Sequence, residues 1–442
     1  MTIFLTLAAF ALVVFYVYLL SVHVDWGLVS LLVAELFHIA FGPTSQVLGG
    51  IHLDPLDAVS LCLLAAGIIR TFRTLKSINL TRFLAVAYLL LVAVSLARGF
   101  YANGILAAAN ESRSFVGPIV AALYFLTAPT DRTSVRRYIM SYLYFGAALA
   151  AVATLAAAGL PLGMNAWADS SSVAVDGRYL PATGAAALAV CGFISLAWNR
   201  YQKTGLLYQV VTVMFVATAI YLRHRTVWVM ILAGALALPL IDARLFRRLL
   251  PAALVATVAV AVLAIYGSTA DGLAGTTQFS ESATSSQTLQ WRLNGWKELL
   301  FDDDQNALTV SLGKSMGSGF WRIDPVSDRY VGVAPHSEYI QEYLRVGVLG
   351  TVFMFFFAIR PLSRLWRISK LDPTAVYPSA SAWGIIVFMT LVYGVTYGIE
   401  PHAYALIGIA NAIALKVHAP AAEPQQDFAE DWSLEALPSF AE

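Results

Sequence analysis

The sequence predicts an all-α, polytopic integral membrane protein, and three observations support this fold class. Hydrophobic residues make up 59% of the 442 residues and charged residues 12%, whereas about 25% of residues are charged in soluble domains. Apolar runs of about 16–24 residues recur along the chain, and each is long enough to cross a hydrocarbon core as a helix. Basic residues are concentrated in alternate connections between these runs. We therefore expect about 12–13 transmembrane helices and one long periplasmic loop.

The apolar runs are the candidate spans. The first run lacks a positively charged n-region and a small-residue cleavage site, so we predict a retained span rather than a signal peptide. If one short run is re-entrant, the number of spans falls by one. The runs lie at 2–20, 26–41, 55–70, 82–97, 115–127, 137–160, 180–198, 205–222, 226–241, 249–267, 344–360, 380–398 and 403–417.

Four regions follow from this pattern. They are a membrane domain at 1–267 with about ten helices, a periplasmic loop at 268–343, C-terminal transmembrane helices at 344–417, and a disordered cytoplasmic tail at 418–442. The loop begins with a Ser/Thr/Gly-rich stretch and continues with a predicted amphipathic helix at 289–301, LQWRLNGWKELLF. Trp291 and Trp296 are suited to a helix that lies at a membrane interface.

The distribution of lysine and arginine predicts the orientation. Most basic residues lie in the connections at 70–82, 131–137, 199–204, 242–248 and 360–370, which are cytoplasmic by the positive-inside rule. The N-terminus is then outside. Snorkelling to lipid headgroups would explain basic residues at outer helix ends. It explains Arg178 and Arg225 less well than Arg98, Arg113 and Arg223. The short outer connections hold Arg98, Arg113, Arg178, Arg223 and Arg225.

Several classes of protein lack support in the sequence. Cys62 and Cys191 lie in separate apolar runs and form no CxxC or Cys/His set, so neither a disulfide framework nor a metal site is indicated. No long Lys/Arg tract indicates a nucleic-acid partner, and no GxxxxGK[ST] loop indicates ATP hydrolysis. We expect no cofactor and no metal.

The stretch APHSEYIQEYLRVGVLG at 334–350 changes from a polar turn to a membrane run. We predict a helix with Pro335 at its first position, which places His336 in the first turn at the positive end of the helix dipole. The dipole would favour the neutral imidazole, which can accept a proton. A histidine that merely caps an interfacial helix is the alternative. Spacings of three or four place further residues on the same face, and these are Tyr339, Tyr343, Gly347 and Gly350.

Four arginines are candidates for binding an anion. Arg178 lies in DGRYLPATG, Arg223 and Arg225 lie in YLRHRTVW, and Arg292 lies in the amphipathic helix. The planar guanidinium group matches phosphate oxygens and keeps its charge at any biological pH. With His336 as a general base, they describe a site for a lipid headgroup whose leaving group is a phosphate. An anion permease would need the arginines equally but would have less use for the histidine.

Four stretches resemble, in the same order, signature segments of the O-antigen ligase and polymerase family. The resemblance covers about 176–360 and is topological elsewhere. The chain departs from the family pattern at Ser337, at Ala182 and Thr183 after Pro181, at His224 and at Arg345. The similar stretches are GRYLPATGAAALA, YLRHRTVWVMILAG, WRLNGWKELLF with GKSMGSGF, and PHSEYIQEYLRVGVLG.

The resemblance implies a multi-pass glycosyltransferase of the bacterial inner membrane with its active site facing the periplasm. Such enzymes transfer a glycan from undecaprenyl pyrophosphate to an acceptor hydroxyl, without an obligate metal. Single-step attack predicts inversion at the anomeric carbon. The implied roles are pyrophosphate binding for Arg178, Arg225, Arg223 and Arg292, general-base catalysis for His336, and support of the site for Tyr339 and Tyr343.

The resemblance leaves several functions open. We favour a polymerase that joins repeat units of an exopolysaccharide or O-antigen, and the alternative is a ligase that moves O-antigen to lipid A-core. A protein oligosaccharyltransferase usually has a larger C-terminal outer region. A flippase for lipid-linked oligosaccharide is the alternative of another class, although the charges here lie at outer helix ends. Expected partners are the lipid-linked donor, a glycan or lipid A-core acceptor, membrane lipids, and a chain-length regulator or export proteins.

Overall fold

The structure is a computed structural model, and it confirms a mostly helical chain. Five helices are long and apolar enough to cross a membrane, and they lie at Val24–Phe41, Pro55–Arg73, Leu80–Asn103, Arg132–Ala157 and Glu338–Arg367. Further apolar helices are shorter. The structure describes residues 2–42, 46–48, 51–74, 79–167, 178–202, 206–241, 247, 287–301, 306–324, 329–371 and 380–416.

Every predicted span except 249–267 coincides with a helix. The predicted span at 249–267, the Ser/Thr/Gly-rich stretch and the tail at 418–442 lie outside the described residues. The helices are α1 (Thr2–Val22), α2 (Val24–Phe41), α3 (Pro55–Thr74), α4 (Leu80–Asn103), α5 (Ile105–Leu126), α6 (Arg132–Ala157), α7 (Met164–Trp167), α8 (Ala182–Gln202), α9 (Leu206–Tyr221), α10 (Arg225–Ile241), α11 (Gln287–Leu300), α12 (Ala307–Leu312), α13 (Glu338–Leu371), α14 (Ala380–Gly394) and α15 (Pro401–Lys416).

Two small antiparallel hairpins correct the all-α prediction. Strands β1 (Gln46–Leu48) and β2 (Ile51–Leu53) pair between α2 and α3. Strands β3 (Trp321–Asp324) and β4 (Arg329–Gly332) pair within the loop that precedes α13. Each strand has only three or four residues, so none shows enough alternation to be recognised in the sequence.

The helices pack around a continuous apolar core. α15 packs along α5, α8 along α9, and α14 against both α10 and α13. Buried polar contacts tie distant helices together: Glu35 Oε1 of α2 lies 3.2 Å from His402 Nδ1 of α15. The Tyr142 hydroxyl of α6 donates to the His402 carbonyl at 2.6 Å. These contacts link the N-terminal helices to the last helix.

Two of the arginines that are predicted to lie at outer helix ends have protein partners, so headgroup snorkelling is not needed to explain them. Arg113 Nη2 lies 2.7 Å from Asp57 Oδ2 and 3.4 Å from Asp54 Oδ2. Arg98 Nη1 donates to the Gly313 carbonyl at 3.0 Å. The two arginines therefore hold α5 against α3, and α4 against the loop.

The helix α13 begins later than predicted and is broken. It starts at Glu338, and the Ser337 carbonyl accepts from Gln341 N at 3.0 Å. Pro335 is therefore not the first helical residue, and His336 lies outside the helix with a φ of 50°. Gly347 interrupts the helix with φ 66° and ψ −170°. The predicted face is thus wrong, because Gly350 lies beyond the break.

The break at Gly347 is the docking point of α12. A Cβ on Gly347 would overlap the Ser311 carbonyl oxygen at the end of α12. Just after α12, the Lys314 amide donates to the Leu344 carbonyl at 2.6 Å. The glycine at position 347 therefore lets the loop approach α13 closely.

We expect Gly347→Ala to destabilise the protein more than Gly104→Ala. Both glycines have positive φ, which costs an alanine about 1–3 kcal/mol. A Cβ on Gly104 meets nothing within 4 Å, whereas one on Gly347 meets α12, and such overpacking adds about 1–3 kcal/mol. Thermal unfolding of the two purified variants in detergent measures the difference. Equal losses would contradict docking at this position.

Candidate active site

Three of the predicted arginines converge at one end of the helices. Arg178 precedes α8, Arg225 is the first residue of α10, and Arg292 lies on α11. Burial lowers the pKa of Arg178; Tyr397 opposes this shift, while the charges of Arg225 and Arg292 add to it. The charges of Arg225 and Arg292 therefore repel that of Arg178, and a bound anion would offset this repulsion.

The arginines keep donors that the described residues do not satisfy. Within the described ranges, the Nε atoms of Arg178 and Arg292 are buried and have no hydrogen-bond partner. Arg292 Nη1 donates to the Thr396 carbonyl at 3.0 Å, and its guanidinium carbon lies 4.7 Å from the centre of the Tyr397 ring. A buried donor without a partner costs about 1–3 kcal/mol. A phosphate oxygen would satisfy such donors through charge-assisted hydrogen bonds.

His224 fixes the relative position of two arginines. Its Nε2 lies 2.9 Å from the Leu180 carbonyl, so it links the start of α10 to the segment before α8. Burial lowers the pKa of His224 to about 4; Leu180 opposes this shift and Arg178 adds to it. The imidazole is therefore neutral at pH 7, and its Nε2–H donates to Leu180. The departure from the family pattern at this position thus has a structural role.

The segment 395–400 joins the parts of the site, although the sequence did not predict it as part of the site. The Thr396 hydroxyl donates to the Thr226 hydroxyl at 2.8 Å. The Tyr397 carbonyl accepts from Glu338 N at 3.1 Å. The Glu338 carboxylate accepts from Ile399 N at 2.9 Å and from the Tyr404 hydroxyl at 2.7 Å. The only sequence signal was TYGIEPH, which places an acid and a histidine between two apolar runs.

His336 has two aromatic rings near it. The ring centres of Trp291 and Tyr397 are each 6.1 Å from the centre of its imidazole. The preceding carbonyl, of Pro335, accepts from Trp296 Nε1. A left-handed φ costs a non-glycine residue about 1–3 kcal/mol, so these contacts and the Glu338 bond hold His336 in a strained but defined position.

The imidazole of His336 is neutral at physiological pH. Burial lowers its pKa to about 4, and the positive charges of Arg292 and Arg322 add to the shift. The neutral form agrees with the prediction, but the cause is burial and two arginines rather than a helix dipole. A neutral imidazole that is held in place can accept a proton.

The structure also shows the positions of the three other predicted site residues, Tyr339, Tyr343 and Arg223. The Tyr339 hydroxyl donates to the Leu391 carbonyl of α14 at 2.7 Å, so it ties two helices together. Tyr343 packs against the apolar cluster that contains Tyr88. Arg223 lies two residues before Arg225 in a turn, with φ 59°. Support of the site by Tyr339 and Tyr343 and pyrophosphate binding by Arg223 stay predictions.

Arg345, a departure from the family pattern, organises the glycine turn of the loop. It is fully buried and forms an ion pair with Glu111 of α5. Its Nη2 donates to the Gly319 carbonyl at 2.7 Å. Glu111 Oε2 accepts from the amides of Gly317 at 2.9 Å and Gly319 at 3.1 Å. The ion pair therefore holds GKSMGSGF against α5 and α13.

No protein-family model matches this chain, and no curated protein sequence matches it. Within the described ranges, no three His, Cys, Asp or Glu side chains come together as metal ligands. The family assignment and the absence of a metal stay predictions from the sequence.

Proposed function

We propose that this protein is a polytopic glycosyltransferase of the bacterial inner membrane that transfers a glycan from undecaprenyl pyrophosphate to a sugar hydroxyl. The carrying observation is the convergence of Arg178, Arg225 and Arg292 beside a neutral His336. An anion-binding group and a proton acceptor are both required by this transfer. The favoured role is polymerisation of an exopolysaccharide or O-antigen.

The apolar helices and the distribution of charge support the membrane topology in this proposal. The arginines and His336 belong to the start of α8, the start of α10 and the start of α13, which are outer ends in the predicted orientation. A lipid-linked donor would present its pyrophosphate at this level, and a water-borne hydroxyl would reach it from the periplasm.

In the proposed reaction, the acceptor oxygen attacks the anomeric carbon of the donor sugar. The bond between that carbon and the phosphate oxygen breaks, and its electron pair leaves with the pyrophosphate. The arginines neutralise the developing charge, and His336 takes the proton of the acceptor hydroxyl. One displacement inverts the anomeric configuration.

The base and the arginines are each expected to contribute to the rate of transfer. General-base catalysis typically contributes about 10²–10⁴-fold. Loss of one donor that stabilises a developing anion typically costs about 10²–10³-fold. Tyr397 is close to both Arg292 and His336, so its ring adjoins the proposed phosphate-binding group and the proposed proton acceptor.

The test is a reaction of the purified protein in liposomes with undecaprenyl-pyrophosphate oligosaccharide, with and without lipid A-core. A ladder of products without lipid A-core would identify a polymerase. A single shifted lipid A-core band that requires this acceptor would identify a ligase, which uses the same site. No product with either acceptor, together with movement of the donor between leaflets, would contradict the proposal and indicate a flippase.

A further inference from the structure

A cavity lies in the loop, and its lining does not include the arginine cluster. Its volume is about 370 Å³, which is at the small end of the range of about 300–1,000 Å³ for ligand pockets. It opens between the outer end of α4, the glycine turn before β3 and the hairpin β3–β4. The residues that line it include Arg98, Lys314, Ser315, Ser318, Trp321 and Tyr330.

One wall of this cavity is an exposed aromatic pair. The rings of Trp321 and Tyr330 are parallel within 5°, with centres 5.9 Å apart. Trp321 is 54% exposed and Tyr330 67% exposed, so the pair adds little to the core of the protein. Large aromatic side chains exposed together indicate an interaction site.

Two glycines let the indole of Trp321 lie flat on the hairpin. A Cβ on Gly319 would lie 2.6 Å from the indole Nε1 atom, and one on Gly332 would lie 3.2 Å from the ring. Gly332 is also the cross-strand partner of Trp321. The position of the ring is therefore set by the backbone around it, although half of its surface remains exposed.

The other walls supply hydrogen-bonding groups. Lys314, Ser315 and Ser318 line the cavity. The Ser315 hydroxyl accepts from Asn103 Nδ2 and the Ser318 hydroxyl from Arg345 Nη1, so each hydroxyl keeps a proton that it can donate. Arg98 is held in place by its bond to the Gly313 carbonyl. A sugar ring has apolar C–H faces and a rim of hydroxyls, so it matches a flat aromatic surface bordered by polar groups. A membrane anchor made of Trp and Tyr would match the rings but not the polar walls.

The hairpin connects this cavity to His336. Successive residues of a strand point to opposite faces, and Arg322 lies on the face opposite to Trp321. The guanidinium carbon of Arg322 is 4.7 Å from the centre of the Trp291 ring, and Trp291 contacts His336. The hairpin is therefore linked to His336 through Trp291, and Arg292, the next residue on α11, contacts the Tyr397 ring.

We propose that the Trp321 pocket, lined by Arg98, Lys314, Ser315, Ser318, Trp321 and Tyr330, binds a sugar residue of the acceptor glycan. This inference rests on the proposed function, because it assigns the pocket to the acceptor of that reaction. The sugar face stacks on the aromatic pair, and the polar walls bind its hydroxyls. The pocket thus holds the acceptor while its reactive hydroxyl reaches His336.

The experiment measures binding without catalysis. The probe is the repeat-unit oligosaccharide of the producing strain, released by mild acid and free of lipid pyrophosphate. Its affinity for the full-length protein in nanodiscs is measured by calorimetry for the wild type, Trp321→Ala and Tyr330→Ala. We expect roughly tenfold weaker binding for each variant, since buried aromatic contacts commonly contribute this much. Tyr101→Ala removes another exposed aromatic residue, and it should bind the probe as the wild type does.

A second measurement separates this pocket from a membrane anchor. Brominated lipids quench indoles that enter the bilayer, and Trp321→Phe removes only this indole. Equal quenching in the wild type and Trp321→Phe supports the pocket; a quenched fraction that disappears in Trp321→Phe would overturn it in favour of a lipid contact.

Failure of the pocket is distinguishable from failure of the proposed function. If the wild type forms products but Trp321→Ala has unchanged oligosaccharide affinity and acceptor KM, the pocket inference is wrong and the function stands. If the oligosaccharide binds through Trp321 but no glycan is transferred, the glycosyltransferase proposal is wrong and the sugar site stands.

Discussion

Arg178→Gln is expected to lower kcat/KM for the lipid-linked donor by about 10²–10³-fold. The substitution removes a charge whose Nε has no partner among the described residues, and so it removes donors that we assign to the pyrophosphate. Initial rates in liposomes over a range of donor concentrations measure the effect. The fold should be retained, because the side chain supports no other described contact through that Nε atom.

Lysine at the same position tests whether geometry matters beyond charge. Lysine keeps the positive charge but lacks the planar fork that binds two oxygens at once. We expect Arg178→Lys and Arg225→Lys to lose roughly tenfold in kcat/KM, and the matched control Arg137→Lys to lose nothing. Arg137 is an exposed arginine at the start of α6 that pairs with Asp25. Full activity in Arg178→Lys and Arg225→Lys would argue against bidentate phosphate recognition.

Binding of inorganic pyrophosphate, measured by calorimetry, gives a readout that needs no glycan. Pyrophosphate should bind to the wild type and bind more weakly to Arg178→Gln. A variant that loses activity while its affinity for pyrophosphate is unchanged would place Arg178 outside the anion site.

The helices were predictable because an apolar run is a local signal, whereas the ends of helices at the site depend on distant residues. The run at 380–398 was read as one span, but α14 ends at Gly394 and the next residues form the turn that holds Glu338. The start of α13 was misplaced for the same reason. The Pro335 carbonyl is bound by Trp296, and Glu338 N by Tyr397, and neither partner is near in sequence.

Only the order of the four family-like stretches along the sequence suggested that the arginines would converge. Nothing local links Arg178 to Arg225; the link is the bond from His224 to Leu180, at a position that was noted only as a departure. The β3–β4 hairpin was likewise invisible, and with it Arg322, which contributes to the electrostatics of His336. The sequence thus indicated which residue types form the candidate site, but not which distant residues surround them.

The pH dependence of the reaction is expected to reflect the lowered pKa of His336. The free enzyme should show an acid limb of kcat/KM near pH 4, the value to which burial and the two arginines lower this pKa. A bound pyrophosphate would offset the charge of Arg292 and raise the pKa, so the acid limb of kcat should lie at higher pH. Rate profiles from pH 4 upward measure both limbs. Coincident limbs would contradict a pyrophosphate beside the imidazole.

Loss of activity in acid must be separated from unfolding. Unfolded histidine binds a proton below a pKa of about 6.5, whereas folded His336 does so only below about 4. The unfolded state therefore binds more protons in this window, and stability falls as pH falls from about 6.5 to about 4. The folded fraction must be measured at each pH. Arg292→Gln should move the acid limb of kcat/KM upward, because it removes one of the charges that lower the pKa.

His224 has a pKa lowered to about the same value, and so it could produce the same acid limb. Its Nε2 is already committed to the Leu180 carbonyl, which leaves it suited to positioning rather than proton transfer. His224→Asn keeps an amide donor and should retain the acid limb in kcat/KM. His336→Ala should lower kcat by about 10²–10⁴-fold and remove the limb from the residual activity. The opposite pattern, with the limb lost in His224→Asn and kept in His336→Ala, would transfer the role of general base to His224.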